Sequence, residues 1–115
     1  MLVVYAIINI KTLEKIYIGS TKNVYHRLKS HKSYCCNPLA HNYSQYVYQF
    51  IRANGGWDNN YECIVLWQMP SHVSPSFVRK IEQLEINNNK NTIKNKMNAY
   101  SGTLENIIIS DIVEQ

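Results

Sequence analysis

At 115 residues, 45% of them hydrophobic and 17% charged, the chain is long enough for one folded domain with a modest core and too apolar for a disordered tail. The net charge of +4 is unevenly spread: residues 1–52 carry seven Lys and Arg against Glu14 alone, and residues 53–115 carry five basic and seven acidic residues. That division suits a polyanion-binding face with carboxylates close by, and no apolar run approaches the roughly 20 residues of a membrane helix.

Residues 2–10 are rich in β-branched side chains and read as a first strand. They also resemble a signal-peptide core, but no charged stretch precedes them and no small-residue cleavage site follows. A polar turn over 11–15 leads to a second short strand over 15–19, the pair forming an antiparallel hairpin. Ser20 or Thr21 is expected to cap a helix over 23–33, whose buried stripe is Val24 and Leu28. Arg27 and His31 share a second face of that helix. Residues 34–42 read as loop. A helix over 43–53 shows its period in Tyr46, Val47, Phe50 and Ile51 and stops at Asn54-Gly55-Gly56. Residues 61–67 form a buried third strand. Ser74-Pro75 opens a helix running to Asn88 on the stripe Phe77, Ile81 and Leu84, and Thr103 starts a last helix through Ile112. The expected fold is α/β in the α+β sense, a three-stranded, mainly antiparallel sheet flanked by helices. Residues 1–100 make the domain, and 101–115 a C-terminal helical extension packed on it.

Three cysteines, two of them the adjacent Cys35 and Cys36, do not make a disulfide framework. The chain therefore reads as intracellular, in cytoplasm or nucleus. Its abundant Asn, Lys, Ile and Tyr are the residues of AT-rich codons, as in a phage, virus or parasite. His31, Cys35, Cys36 and His41 lie close together, but adjacent cysteines fit two corners of a zinc tetrahedron poorly.

Val3-Val4-Tyr5 at the first strand, Tyr17-Ile18-Gly19 after residues 6–16, Arg27 and His31 on the helix, Glu82-Gln83-Leu84-Glu85-Ile86, and a later asparagine follow one another in order. In that order and spacing the chain resembles the GIY-YIG endonucleases over roughly residues 3–100. It departs from their first signature in having Val3 where the family has glycine. The resemblance implies a metal-dependent DNA endonuclease that hydrolyses phosphodiester bonds with one Mg²⁺ or Mn²⁺. Its catalytic residues would be Tyr5, Tyr17, Arg27, His31, Glu82 and Asn95.

The residue chemistry fits that reading. Arg27 can fork hydrogen bonds to phosphate oxygens. Glu82 is a hard oxygen ligand of the kind Mg²⁺ takes singly, keeping many waters. A tyrosine with a lowered pKa can act as general base; by resemblance Tyr5 is the first choice and Tyr17 positions the water or phosphate, two roles open to exchange. Gly19 lets a backbone approach closely, and Lys22, Lys29 and Lys32 add phosphate contacts. Glu85 competes with Glu82 for the metal. Asn95, 13 residues after Glu82, competes with Asn98, 16 after, to pin the glutamate side of the site. Tyr5, Tyr17, Arg27 and Glu82 are expected to line one concave surface. The chain has no room for a separate specificity domain, so DNA targeting falls to structure specificity, to a homodimer, or to a partner protein. The alternative is a non-catalytic nucleic-acid-binding module of the same fold.

Overall fold

The computed structural model describes residues 1–95. The expected final helix, the extension over 101–115 and Asn98 lie outside the described residues. Three strands, β1 (Leu2–Asn9), β2 (Lys15–Thr21) and β3 (Tyr61–Met69), and three helices, α1 (Val24–Cys36), α2 (Tyr46–Ala53) and α3 (Pro75–Asn88), follow in the order β1-β2-α1-α2-β3-α3. The sheet order is β2-β1-β3, and both pairings are antiparallel. Among the described residues no helix is long and apolar enough to cross a membrane.

The continuous apolar run of β1 follows from its place at the centre. A strand turns alternate side chains to opposite faces, and both faces of β1 are covered. Val4, Ala6 and Ile8 pack with Val78, Ile81 and the rest of the α3 side. Tyr5 and Ile7 face the other way, into a second core with Cys35 of α1 and Val47, Tyr48 and Ile51 of α2. The register shifts between Ile7 and Ile8 on the β2 side, leaving Ile16 as an extra residue that swings into the α2-side core. A second shift falls between Val4 and Tyr5 on the β3 side.

Local chemistry moves several expected boundaries. Ser20 and Thr21 stay in β2, and Asn23 caps α1 by accepting a hydrogen bond from the His26 N–H. The helix then runs on to Cys36, three residues past its expected end. Its buried residues are His31 and Cys35, while Val24 and Leu28 are only partly covered. Helix α2 starts at Tyr46, because residues 40–45 are taken up by successive turns. It ends as expected at Gly55 and Gly56, both at positive φ, with the Gly56 N–H donating back to the Ile51 carbonyl at 2.9 Å. Arg52 joins the two helices by donating to the Cys35 and Tyr43 carbonyls at 2.9 and 2.7 Å.

β2 is an edge strand, and its outer side is covered by the chain that follows α3. Thr92 donates its hydroxyl to the Lys15 carbonyl at 2.6 Å, and the Lys94 N–H donates to the Ile16 carbonyl at 2.6 Å. Asn95 then takes both backbone groups of Ile18, accepting from its N–H at 3.0 Å and donating to its carbonyl at 2.8 Å. One side-chain amide thus fills a position that another strand would occupy. Replacing Asn95 with Ala should speed hydrogen exchange at the Ile18 amide roughly fivefold, the worth of one lost net hydrogen bond; NMR exchange rates would show it, with amides in the β1–β3 ladder as controls.

Candidate active site

Three residues are strung through the α1–α2 side of the sheet. The Tyr5 hydroxyl lies 2.6 Å from His31 Nε2, and His31 Nδ1 lies 2.8 Å from the Tyr48 hydroxyl. All three are buried, at 1%, 2% and 3% exposure. Burial, reinforced by the positive charge of Arg27, lowers the His31 pKa to about 4 and keeps the ring neutral. A neutral imidazole has one donor and one acceptor nitrogen, so one tyrosine donates to the ring and the other accepts from it.

Tyr17 closes this cluster on the outside. Its ring meets His31 edge-on at 5.1 Å between centroids and lies 6.2 Å from Tyr5. Both tyrosines press on Gly19, the residue paired with Tyr5 across the hairpin. A Cβ there would come within 2.7 Å of the Tyr5 hydroxyl and 2.9 Å of Tyr17 Cε1. Gly19 was expected to make room for nucleic acid. It is buried, and the room it leaves is filled by these two rings.

Tyr5 is the first choice as base by resemblance; it is 1% exposed, its hydroxyl lies on His31, and burial raises its pKa far above the ordinary phenol value. Tyr17 is half-buried and is the phenol on which the other charges converge. Burial and the Glu82 charge raise its pKa, while Arg27 and a hydrogen bond from Tyr5 oppose the rise. The lowered pKa expected of the base is thus absent from the protein alone. Arg27 is exposed at the rim, whereas His31, four residues on, points inward. The two still lie one turn apart on one face of α1, and the Arg27 charge acts on the buried ring.

Glu82 approaches from α3. It is partly buried, which raises its pKa against the opposing pull of a Ser20 hydrogen bond and of Arg79. Along β2, Tyr17 and Gly19 face the α1 side and Ser20 the α3 side, so the site wraps round the outer edge of this strand. Glu85 is occupied elsewhere, accepting from Trp67 Nε1 at 2.9 Å. Asn95 was expected to pin the glutamate side, but it holds the β2 backbone at Ile18 instead. Lys22 borders a cleft next to Ser20, whereas Lys29 lies over the Tyr25 ring at 4.6 Å and Lys32 is exposed.

Two participants escaped the sequence reading. Tyr48 lies outside the set Tyr46, Val47, Phe50 and Ile51 that gives α2 its period, and nothing in its spacing marks its hydroxyl as a partner of His31. Ser20 looked like a helix cap; its place in β2 opposite α3 gives it to Glu82. Val3, the departure from the Gly-x-Tyr signature, is an ordinary strand residue paired with Thr21 and Gln68. No group of three or more His, Cys, Asp or Glu side chains converges among the described residues. A single partly desolvated carboxylate with open surroundings still fits one Mg²⁺ or Mn²⁺, which takes few protein ligands and keeps its waters.

Gly19→Ala should destabilise the protein by about 1–3 kcal/mol, the usual range for overpacking a filled core, read from urea unfolding. His31 generates a pH effect of known sign. Its folded pKa lies below its unfolded value, so the stability it contributes is complete above pH 6.5 and is lost as pH falls from there towards about 4. The fall should be on the order of 3 kcal/mol, and most of it should vanish in His31→Gln when unfolding is compared at pH 7 and pH 4.5.

No curated protein and no solved structure matches the chain. A family model described as the GIY-YIG catalytic domain matches residues 1–98. That span takes in the hairpin with Tyr5, Tyr17 and Gly19, the helix with Arg27 and His31, and the helix with Glu82, and the chain belongs to the GIY-YIG nuclease family.

Proposed function

We propose that this protein is a DNA endonuclease that hydrolyses phosphodiester bonds with the aid of one divalent cation held by Glu82. The observation that carries the reading is the match of residues 1–98 to the GIY-YIG catalytic domain, supported by a half-buried Tyr17 on whose phenol both the Arg27 and the Glu82 charges act.

Arg27, exposed at the rim, meets the phosphate and stabilises the charge that builds on it during in-line attack. Tyr17, once its own proton has passed to solvent, accepts as phenolate the proton of the attacking water, the exchanged assignment of the two tyrosines. In this reading Tyr5, its ring 6.2 Å from that of Tyr17, supports it from behind by donating to the Tyr17 oxygen. That role takes the His31 tautomer in which Nε2–H donates to the Tyr5 oxygen and the Tyr48 hydroxyl donates to Nδ1. This line of donors all points toward Tyr17, so it favours the ionised phenol. Tyr5 and His31 are therefore positioning residues that touch no substrate. When bound, a divalent cation supplies positive charge for the phosphate and the attacking water, and offsets the Glu82 charge that otherwise opposes ionisation of Tyr17. Lys29, Lys32 and Lys22 add salt-sensitive phosphate contacts. A second copy of the chain or a targeting partner extends the DNA contact.

The alternative, a binding module without catalysis, is separated by one assay. Plasmid DNA incubated with the protein and Mg²⁺ or Mn²⁺ should be nicked or cut, and EDTA should stop it. Glu82→Ala should lower cutting by at least about a thousandfold while most DNA affinity remains, since removing a single well-placed electrostatic group commonly costs a factor of this order. An unchanged rate in that variant rules out the assignment of Glu82.

A further inference from the structure

A cleft of about 390 Å³ opens on the α3 side of the sheet, immediately beside the proposed reaction centre. Ser20 lines it, and the same side chain is close enough to Glu82 to help hold down that carboxyl's pKa. Its polar rim carries Lys22, just beyond the end of β2, Arg79 on α3, and His72 from the loop between β3 and α3. Arg79 precedes Glu82 by three residues, so the two side chains lie one helical turn apart on one face. The floor is apolar, made by Leu2, Val73 and Val78.

The charge in this cleft has one sign. No Asp or Glu lines it, while a guanidinium, an ammonium and an imidazole do. Ser74 and Pro75, the cap and first residue of α3, also border it, and the first turn of that helix has no acidic residue. The positive end of the helix dipole therefore adds to the side-chain charges. A site with this lining repels cations and rewards an anion that carries an apolar flank. A nucleotide of a DNA strand has that form, with a phosphate for the rim and the carbon face of a deoxyribose for the floor.

We propose that this cleft binds the backbone phosphate adjacent to the one being cut, with Arg79, Lys22 and His72 as its ligands. The proposal rests on the endonuclease reading above. It gives that reading a direction: the cut strand runs from the Arg27–Tyr17 side of β2, past Glu82 and Ser20, into the cleft. Arg79 and His72 thereby become substrate-binding residues, separate from the lysines of α1.

The test uses DNA and protein changes together. Binding of the full chain to a short duplex is measured by fluorescence anisotropy in EDTA, with each phosphate flanking the cut site replaced in turn by a neutral methylphosphonate. At one flanking position the neutral substitution should weaken binding about tenfold, a loss typical of a charge-assisted phosphate contact. Arg79→Gln should weaken binding to the ordinary duplex by a similar factor and lower the salt slope by about one. The two losses should not multiply at that position and should multiply at the others. Lys22→Gln should show the same pattern, which guards against a defect peculiar to one variant. Losses that multiply at every position, or an Arg79→Gln protein with wild-type affinity and salt slope, overturn the cleft while wild-type cutting in Mg²⁺ leaves the nuclease reading standing. A wild-type protein that neither cuts nor binds DNA in a salt-dependent way overturns both.

Discussion

The hydrogen-bonded line from Tyr5 through His31 to Tyr48 is the interaction on which the rest of the molecule depends. It joins the central strand to two helices through polar atoms at 2.6 and 2.8 Å, inside the core on the α1–α2 side of the sheet. Three buried polar groups are tolerated there because each has a partner; leaving any one unpaired would cost roughly 1–3 kcal/mol. Burial and the Arg27 charge hold His31 neutral, and the two hydrogen bonds fix the ring. That fixed ring is the surface against which Tyr17 rests. The phenol at the edge of the site is therefore located by the core, and core packing and the candidate chemistry are governed by the same few atoms.

Gly19 carries the second constraint. Two aromatic rings share the space above one backbone position in the edge strand, with the Tyr5 hydroxyl 2.7 Å from where a side chain would begin. Tyrosine, tyrosine and glycine are thus a single packing unit spread over two strands. Val3 contrasts with it: a glycine expected by family resemblance is replaced at a regularly paired strand position, which holds a buried valine side chain. Whether a glycine is replaceable depends on what lies above its Cα.

Much of the fold was legible because hydrophobic period reports burial directly. β1 reads as a continuous apolar run since both its faces are covered, and α3 begins where Ser74-Pro75 says it should. What could not be read was the facing of individual polar groups. Arg27 and His31 are four apart on one helix, yet one is exposed and the other sealed, since the lean of α1 on the sheet is set by contacts distant in sequence. Tyr5 was legible as a member of the site but not as its buried member. A shift in strand register turns a side chain from one face to the other, and the shifts on either side of β1 leave no local signature. Ser20 illustrates the same difficulty, since a serine before a helix looks like a cap until the strand is seen to run past it.

The position of the site at an edge strand follows from these facings. A sheet interior offers only one face at a time, but the rim of β2 lets residues from opposite faces approach one another. Tyr17 and Gly19 come from the α1 side, Ser20 and Glu82 from the α3 side. An open edge would be a hazard, because unpaired backbone groups attract further strands. The side chains of Thr92 and Asn95 close it from Lys15 to Ile18. Beyond Ile18 the strand continues through Ser20 to Thr21, and there the cationic cleft opens. Among the described residues Asn95 covers the edge at Ile18, and Ser20, two residues on, lines the cleft proposed above for a phosphate.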